Sequence, residues 1–426
     1  MNSVLAAVAV ALVVAMAALG ILGGEEEEAD QAERPAAASV EQAERPPARS
    51  VERVTERVAE VARGVERVRE LEFDRLPRVR SVSPAEARRA GLGELDRYVP
   101  RRRQVLEERL LTMLGLLPPD ARLRELLGTA LTGEVAGYYI PRSDTLALVR
   151  GAGFEGPLAE VALAHELTHA LEDQRFGIEP HGASGFLRDR GVAESALHEG
   201  TATLAMVDYL ALSQGLGRQL PEGLRRRVLD ELEGLALPAS SGLPRYVREG
   251  LVFPYAAGAR FVNRIHRRGG WAAVDRAFGR EAPVSSEQIL HPRAYETDER
   301  PVPVRLGGLR GSLPAGARVV ARGDLGEFDT AQLLHDANGR RRSEDAAAGW
   351  GGGAFELWRL PGGGDLLAIA WAWDSPRDAA EFERAARLSV GRLVSPGAVN
   401  GGNEVVTVVL APEAGLARRV AQRLAG

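Results

Sequence analysis

At residues 164–174 the chain reads Ala-His-Glu-Leu-Thr-His-Ala-Leu-Glu-Asp-Gln. Pro157 upstream is suited to the first turn of a helix, and Gly177 downstream is suited to ending one. Apolar residues recur between them at intervals of one and two helical turns: Leu163, Leu167, Ala170 and Leu171. This periodicity predicts a helix over residues 157–176 with one face buried in a core.

Two of the seven histidines, His165 and His169, lie four residues apart in this predicted helix. Side chains at that spacing share a face, so both imidazoles can reach one metal ion. Zn²⁺ accepts histidine nitrogen, and a glutamate beside the first histidine can take a proton from water at the metal. His165 and His169 are therefore candidate zinc ligands, and Glu166 is the candidate general base of a hydrolase. Two histidines on an exposed helix face are the alternative interpretation.

A catalytic zinc site needs a third protein ligand and an open position. The chain has no cysteine, so that ligand must be His, Asp or Glu. The best candidate is Glu199, because a carboxylate among the small, apolar residues of the helix-like segment 192–212 is costly unless a cation neutralises it. Gly200 beside it is expected to let this helix lie close to the first one. Glu194 is the alternative ligand, and His181 is interpreted as a surface residue.

The residues Ala164-His-Glu-Leu-Thr-His-Ala resemble the active-site helix of thermolysin-type peptidases. The residues Leu197-His-Glu-Gly-Thr-Ala resemble the "NEG-x-A" motif of the zinc aminopeptidases. Both groups are gluzincins, in which the third ligand is a glutamate on the next helix. The resemblance covers about 45 of the 426 residues. It implies a zincin-like fold in which Zn²⁺ is bound by His165, His169 and Glu199, with Glu166 as the base.

The chain departs from these families in two places. The interval between His169 and Glu199 is about ten residues longer than in the families it resembles. Thr203 stands where thermolysin-type enzymes carry an aspartate, four residues beyond the glutamate. Which group orients an imidazole is therefore left open.

A tetrahedral oxyanion is commonly stabilised by a hydrogen bond from a tyrosine or histidine. Tyr255, His291 and Tyr295 are the candidates for this role, and capping or packing is the alternative for each. The segment 134–149 predicts a β-hairpin. In gluzincins an edge strand pairs with the substrate backbone, so either Gly137–Ile140 or Thr145–Val149 is expected to line the cleft.

The N-terminal part of the chain is predicted to lie outside the fold. Residues 1–24 include the uncharged run Val4–Leu22, whose length as a helix nearly matches a hydrocarbon core of about 30 Å. This favours a membrane anchor with the remainder outside the cytoplasm, and a cleaved signal peptide releasing a secreted protein is the alternative. Residues 25–50 are acidic and rich in Pro and Ala, which predicts a disordered linker.

Residues 51–72 predict an amphipathic helix with a narrow valine seam. The valines recur at alternating intervals of three and four residues: Val51, Val54, Val58, Val61, Val65 and Val68. Such a seam is typical of a short coiled coil, so self-association through residues 51–68 is one interpretation. A helix packed on its own domain is the other.

The rest of the chain predicts an α+β protein. Residues 73–316 are assigned to a mainly helical, zincin-like metallopeptidase domain with a small β-sheet, and residues 317–426 to a small α/β domain. In that domain Gly351–Gly353 is interpreted as a tight turn, because no phosphate-loop Lys or Ser/Thr follows it. Trp371 and Trp373 are assigned to core packing.

A zinc-dependent peptidase acting on peptide or protein substrates outside the cytoplasm is the function that these patterns favour. The net charge of −5 gives no reason to expect nucleic acid as a partner. A catalytically silent zincin-fold protein, serving as an envelope scaffold, is the alternative. The intact Glu166 argues against it, because a protein without catalysis has no need of the base.

Overall fold

The computed structural model describes residues 48–130, 137–151, 157–178, 188–234 and 242–424. The predicted anchor, the linker up to residue 47, and His181 lie outside the described residues. Within the described ranges, no helix has the length and apolar character needed to cross a membrane.

The described chain is α+β, with a mainly helical part followed by a part built on a second sheet. The helices of the first part are α1 (Ala48–Arg69), α2 (Pro84–Tyr98), α3 (Arg101–Met113), α4 (Leu123–Ala130), α5 (Pro157–Phe176), α6 (Asp189–Ser213), α7 (Glu222–Gly234), α8 (Arg245–Ala277), α9 (Ser286–Leu290) and α10 (Pro292–Glu296). Its strands are β1 (Arg78–Val82), β2 (Gly137–Ile140) and β3 (Thr145–Val149). The second part contains β4 (Arg318–Gly323), α11 (Glu327–Asn338), α12 (Arg340–Ala347), β5 (Trp350–Arg359), β6 (Asp365–Trp373), α13 (Pro376–Val390), β7 (Gly397–Gly401), β8 (Val405–Leu410) and α14 (Ala414–Leu424).

Helix α1 packs on its own chain, which is the second of the two interpretations of the valine seam. Its valines at positions 58, 61, 65 and 68 are buried in the main core. They lie against α5 and α6. At Gly64 a side chain would overlap the ring of Tyr209, so glycine allows this close contact. The seam from Val58 to Val68 is therefore covered within the chain.

The three-stranded sheet has the order β1-β3-β2 and contains the predicted hairpin. Strand β2 runs antiparallel to β3, and β1 runs parallel to it. The hairpin turns through Asp144, whose backbone is left-handed with φ of 45°. Leu146 and Leu148 join the main core, whereas Ala147 and Val149 pack on the opposite face of the sheet. Strand β3 is therefore central, and β2 is an edge strand next to α5.

Helices α6 and α8 approach until their backbones touch. A Cβ atom on Gly200 would lie 2.2 Å from the carbonyl carbon of Gly258. A Cβ atom on Gly258 would lie 2.1 Å from the carbonyl oxygen of Ala196. The expectation that Gly200 brings α6 close to α5 was wrong, because the space that it leaves is occupied by α8.

The five-stranded sheet has the order β4-β5-β6-β8-β7, and every strand pair in it is antiparallel. The prediction of an α/β domain is corrected to α+β. An α/β domain is built on parallel strands joined by crossover helices, whereas β5 and β6 here form a hairpin.

The two faces of this sheet contact different parts of the molecule. Leu367, Ile369 and Trp371 belong to the core that continues into the helical part. Leu366 and Ala368 face the other way and are covered by α14. The C-terminal domain is therefore docked on the helical part through one continuous core.

Glycines 351–353 lie inside β5, so their assignment to a tight turn was wrong. A Cβ atom on Gly352 would lie 2.5 Å from the carbonyl oxygen of Val302, and one on Gly353 would lie 2.4 Å from that of Leu325. These glycines allow two other segments of backbone to cross the strand. The assignment of Trp371 to the core is confirmed, since its side chain is buried and its Nε1 donates to Thr330.

Candidate metal centre

Helices α5 and α6 bring His165, His169 and Glu199 to one point. The two Nε2 atoms are 3.0 Å apart, and Oε2 of Glu199 lies 3.2 Å from that of His165 and 3.4 Å from that of His169. Ligands placed about 2.0–2.1 Å from a tetrahedral zinc ion are about 3.3–3.4 Å from one another. These three atoms therefore have the spacing of one face of a zinc coordination shell.

The group is buried on one side and accessible on the other. His165 is fully buried and Glu199 is 2% exposed, whereas the side chain of His169 is 14% exposed. Solvent therefore reaches the group from the side of His169. Glu194, the alternative ligand, instead pairs with Arg190 at 2.9 Å on the same helix.

The charges of the group require a cation near Glu199. Burial lowers the pKa of His165 to about 4, so this imidazole is neutral and its lone pair can bind a metal. Burial opposes ionisation of Glu199, but the His169 charge and hydrogen bonds from both histidines hold its pKa well below the usual range. Burial lowers the pKa of His169, but the Glu199 carboxylate outweighs this effect and raises it to about 9. A proton on His169 or a metal ion can supply the positive charge.

Glu166 is held beside the two histidines by the edge strand β2. Its Oε2 accepts a hydrogen bond of 2.7 Å from the backbone N–H of Tyr139. Burial raises the pKa of Glu166 to about 7. Within the described residues, its buried Oε1 has no hydrogen-bond partner. One carboxylate oxygen is thus anchored, and the other is left for a proton or a ligand.

The position of β2 decides between the two strands that were expected to line the cleft. Strand β3 is flanked by β1 and β2, so its backbone is already paired. The Tyr139 N–H points towards Glu166, so the free edge of β2 faces the histidine helix. Of these two strands in the described chain, β2 is therefore the one with an unpaired edge, and the Tyr139 N–H on that edge is bonded to Glu166.

Of the three candidate oxyanion donors, the structure brings Tyr255 to the group. Its ring stacks on that of His165 with a centroid distance of 5.9 Å, and its hydroxyl donates a hydrogen bond to Glu199. The Nε2 of His291 instead lies 2.7 Å from a carboxylate oxygen of Glu327. The hydroxyl of Tyr295 donates to the backbone carbonyl of Glu281 at 2.7 Å.

Sequence reasoning missed a buried ion pair behind the histidine helix. Glu172 is fully buried, three residues beyond His169, and lies 3.5 Å from the guanidinium of Arg69. Arg69 also contacts Asp275 at 3.0 Å and stacks over the ring of Trp271. The helical spacing from His169 could have singled out Glu172, but its partner lies on α1, about a hundred residues away.

Thermolysin-type enzymes, which the motif resembles, carry an aspartate four residues beyond the glutamate, and Thr203 stands at that position in this chain. Within the described part of the chain, Nδ1 of His165 and Oγ1 of Thr203 are buried without a hydrogen-bond partner. Thr203 thus does not replace the missing aspartate. The structure does provide a hydrogen bond from the Tyr255 hydroxyl to Glu199, which supports one of the candidate ligands.

Replacing Tyr255 by Phe is expected to weaken zinc binding by about 10–100-fold, the usual effect of removing a partner of a metal ligand. The ring stays and only the hydroxyl bonded to Glu199 is lost. The measurement is a competition titration with a chromogenic zinc chelator. Tyr295→Phe is the matched control and should bind zinc like the wild type. Equal affinity in both variants would show that the hydroxyl does not support Glu199.

In the comparison with known proteins, a family model matches the C-terminal domain. Residues 317–422 match a model described as a domain of unknown function, DUF8575. The match begins at the residue where the sequence placed the domain boundary, and it leaves α5 and α6 outside. No curated protein and no solved structure matches the chain.

Proposed function

We propose that this chain is a zinc-dependent peptidase of the gluzincin type, whose helical part is a zincin-like catalytic domain. The observation that carries the proposal is the triangle of His165 Nε2, His169 Nε2 and Glu199 Oε2, with edges of 3.0–3.4 Å. Glu166, next to the first ligand in sequence and fixed by Tyr139, supplies the general base.

The donor set fits zinc. Two neutral imidazoles and one carboxylate are the ligands of several catalytic zinc sites, and a metal ion would replace the proton that otherwise balances Glu199. When bound, Zn²⁺ supplies Lewis-acid polarisation of a carbonyl and lowers the pKa of water towards about 7. His169 brings the group into contact with solvent.

The residues around the ligands have three further roles in peptide hydrolysis: proton transfer, alignment of the substrate and positioning of Glu199. Glu166 takes a proton from the attacking water and passes it to the nitrogen of the departing amine. The free edge of β2 offers backbone groups that can align an extended peptide. Tyr255 keeps the Glu199 carboxylate in place through its hydrogen bond.

The proposed location is outside the cytoplasm, with residues 1–24 as the attachment to the membrane. This part of the proposal rests on the sequence pattern of an uncharged run followed by four glutamates. Peptides or unfolded proteins in that compartment are the proposed substrates.

The experiment is hydrolysis of an unfolded, fluorescently labelled protein by the full chain in detergent. We expect cleavage by the zinc-loaded protein, loss of cleavage to background after treatment with a zinc chelator, and recovery when zinc is returned. Stoichiometric zinc without cleavage of unfolded proteins or peptide libraries would contradict the peptidase proposal and favour a scaffold role.

A further inference from the structure

A second group of potential ligands lies where the helical part meets the C-terminal domain. Glu287 in α9, Glu299 after α10 and Asp374 at the end of β6 each offer a carboxylate oxygen, and these oxygens lie within 4.8 Å of one another. Glu287 is 4% exposed, whereas Glu299 and Asp374 reach the surface. The group is thus buried at Glu287 and open to solvent at Glu299 and Asp374.

Three carboxylates this close together repel one another unless a cation or hydrogen-bond donors offset their charges. Across the described ranges, no hydrogen bond or ion pair is formed by the side chains of Glu287, Glu299 or Asp374. The neighbouring Glu327 is 3% exposed, and one of its oxygens has no hydrogen-bond partner within the same ranges. Its other oxygen contacts His291, which can offset one negative charge.

Burial of an unpartnered carboxylate next to others is costly in free energy. Glu287 is 4% exposed, and the charges of Glu327, Asp374 and Glu299 act on it. A bound cation would remove this cost. The carboxylate oxygens of Glu287, Glu299 and Asp374 therefore converge close to the Oε2 of Glu327, which is buried and unpartnered in the described chain, and a cation bound among them would offset these charges.

We propose that Glu287, Glu299 and Asp374 bind a calcium ion that fastens the C-terminal domain to the helical part. The donors are all carboxylate oxygens, which favours a hard cation over zinc. Ca²⁺ takes six to eight oxygen ligands in a flexible shell that can include several carboxylates, whereas Mg²⁺ is usually held by one or two carboxylates and keeps several waters. Three carboxylates therefore favour calcium, and water can complete its shell on the open side.

The ion would join two parts of the chain that the sequence separates. Glu287 and Glu299 precede the DUF8575 match, and Asp374 lies inside it. Helix α9 packs on α6, which carries Glu199, and also on α11 of the C-terminal domain. Calcium bound here would hold the C-terminal domain against the helices of the proposed zinc centre.

The binding experiment uses the full chain stripped of metals and titrated with CaCl₂ in a calorimeter. We expect one Ca²⁺ per chain for the wild type, with Mg²⁺ bound more weakly. Asp374→Asn and Glu299→Gln should weaken Ca²⁺ binding at least tenfold. Asp298→Asn is the matched control, because Asp298 is exposed, pairs with Arg300 and has a positive φ that asparagine tolerates. Wild-type protein that takes up no calcium, or that binds it no more tightly than Asp374→Asn, would overturn the proposal.

Thermal unfolding provides a second test, because calcium should reverse the sign of the difference in unfolding temperature between Glu287→Gln and the wild type. Without calcium, Glu287→Gln should unfold at a higher temperature than the wild type, because glutamine avoids the cost of burying a carboxyl group among other carboxylates, whether that group stays charged or takes up a proton on folding. With saturating calcium the order should reverse, since only the wild type gains binding energy. A wild-type Tm that calcium does not raise would contradict the proposal. Neither test depends on zinc or peptide hydrolysis, so the peptidase proposal stands or fails separately.

Discussion

The variant Glu166→Gln is expected to hydrolyse peptides about 10²–10⁴-fold more slowly than the wild type while keeping its zinc. Glutamine has nearly the same shape, and its carbonyl oxygen can accept the hydrogen bond from Tyr139 N–H that now holds the carboxylate. It cannot take a proton from water. The measurement is kcat/KM on an unfolded protein, with zinc content determined on the same samples.

Glu194→Gln is the matched control for this variant. Glu194 lies on the neighbouring helix and pairs with Arg190, so losing its charge should change the rate by less than about twofold. An active Glu166→Gln variant would contradict the assigned base. A variant that loses zinc together with activity would instead show that Glu166 is needed to build the site.

The variant Gly258→Ala is expected to lower the free energy of unfolding by about 3 kcal/mol or more. Its new methyl carbon would lie 2.1 Å from the backbone oxygen of Ala196, and backbone cannot rotate away as a side chain can. Helices α6 and α8 would have to separate. Because Glu199 lies on α6 and Tyr255 on α8, zinc binding should weaken as well. Urea unfolding and a zinc competition titration measure the two effects.

The matched control for this substitution is Gly250→Ala on the same helix. A Cβ atom there meets no heavy atom within 4 Å, so alanine should stabilise the helix by up to about 1 kcal/mol. If both variants were equally stable, the backbone contact between α6 and α8 would not hold in solution.

The local parts of the candidate site could be predicted from the sequence. Helix α5 begins at Pro157 and ends before Gly177, as the two signals indicated. The choice of Glu199 over Glu194 followed from its apolar neighbours, and the structure places Glu199 against both histidines. These predictions depended on short-range spacing and on the cost of a buried charge.

The long-range parts could not be predicted, because no local pattern encodes them. The hydrogen bond from Tyr139 to Glu166 depends on how the hairpin docks on α5. The pairing of Arg69 with Glu172 depends on the docking of α1. His291 was a plausible oxyanion donor by residue type alone, and it lies instead beside Glu327 at the domain junction.

The glycines show the same limit for the fold. Gly200 was correctly recognised as a point of close helix approach, but the partner helix was misjudged because α8 lies more than forty residues further along the chain. A glycine indicates where another segment of backbone can approach the helix closely, but the sequence does not indicate which segment that is.

Zinc content tests the central claim most directly. The full chain is exhaustively dialysed against zinc-free buffer containing calcium, and its zinc is measured by plasma mass spectrometry alongside His165→Ala and Glu199→Ala. The account predicts one zinc ion per wild-type chain and little or none in either variant. A wild type without zinc, or variants that retain as much of it, would contradict the assignment of these ligands.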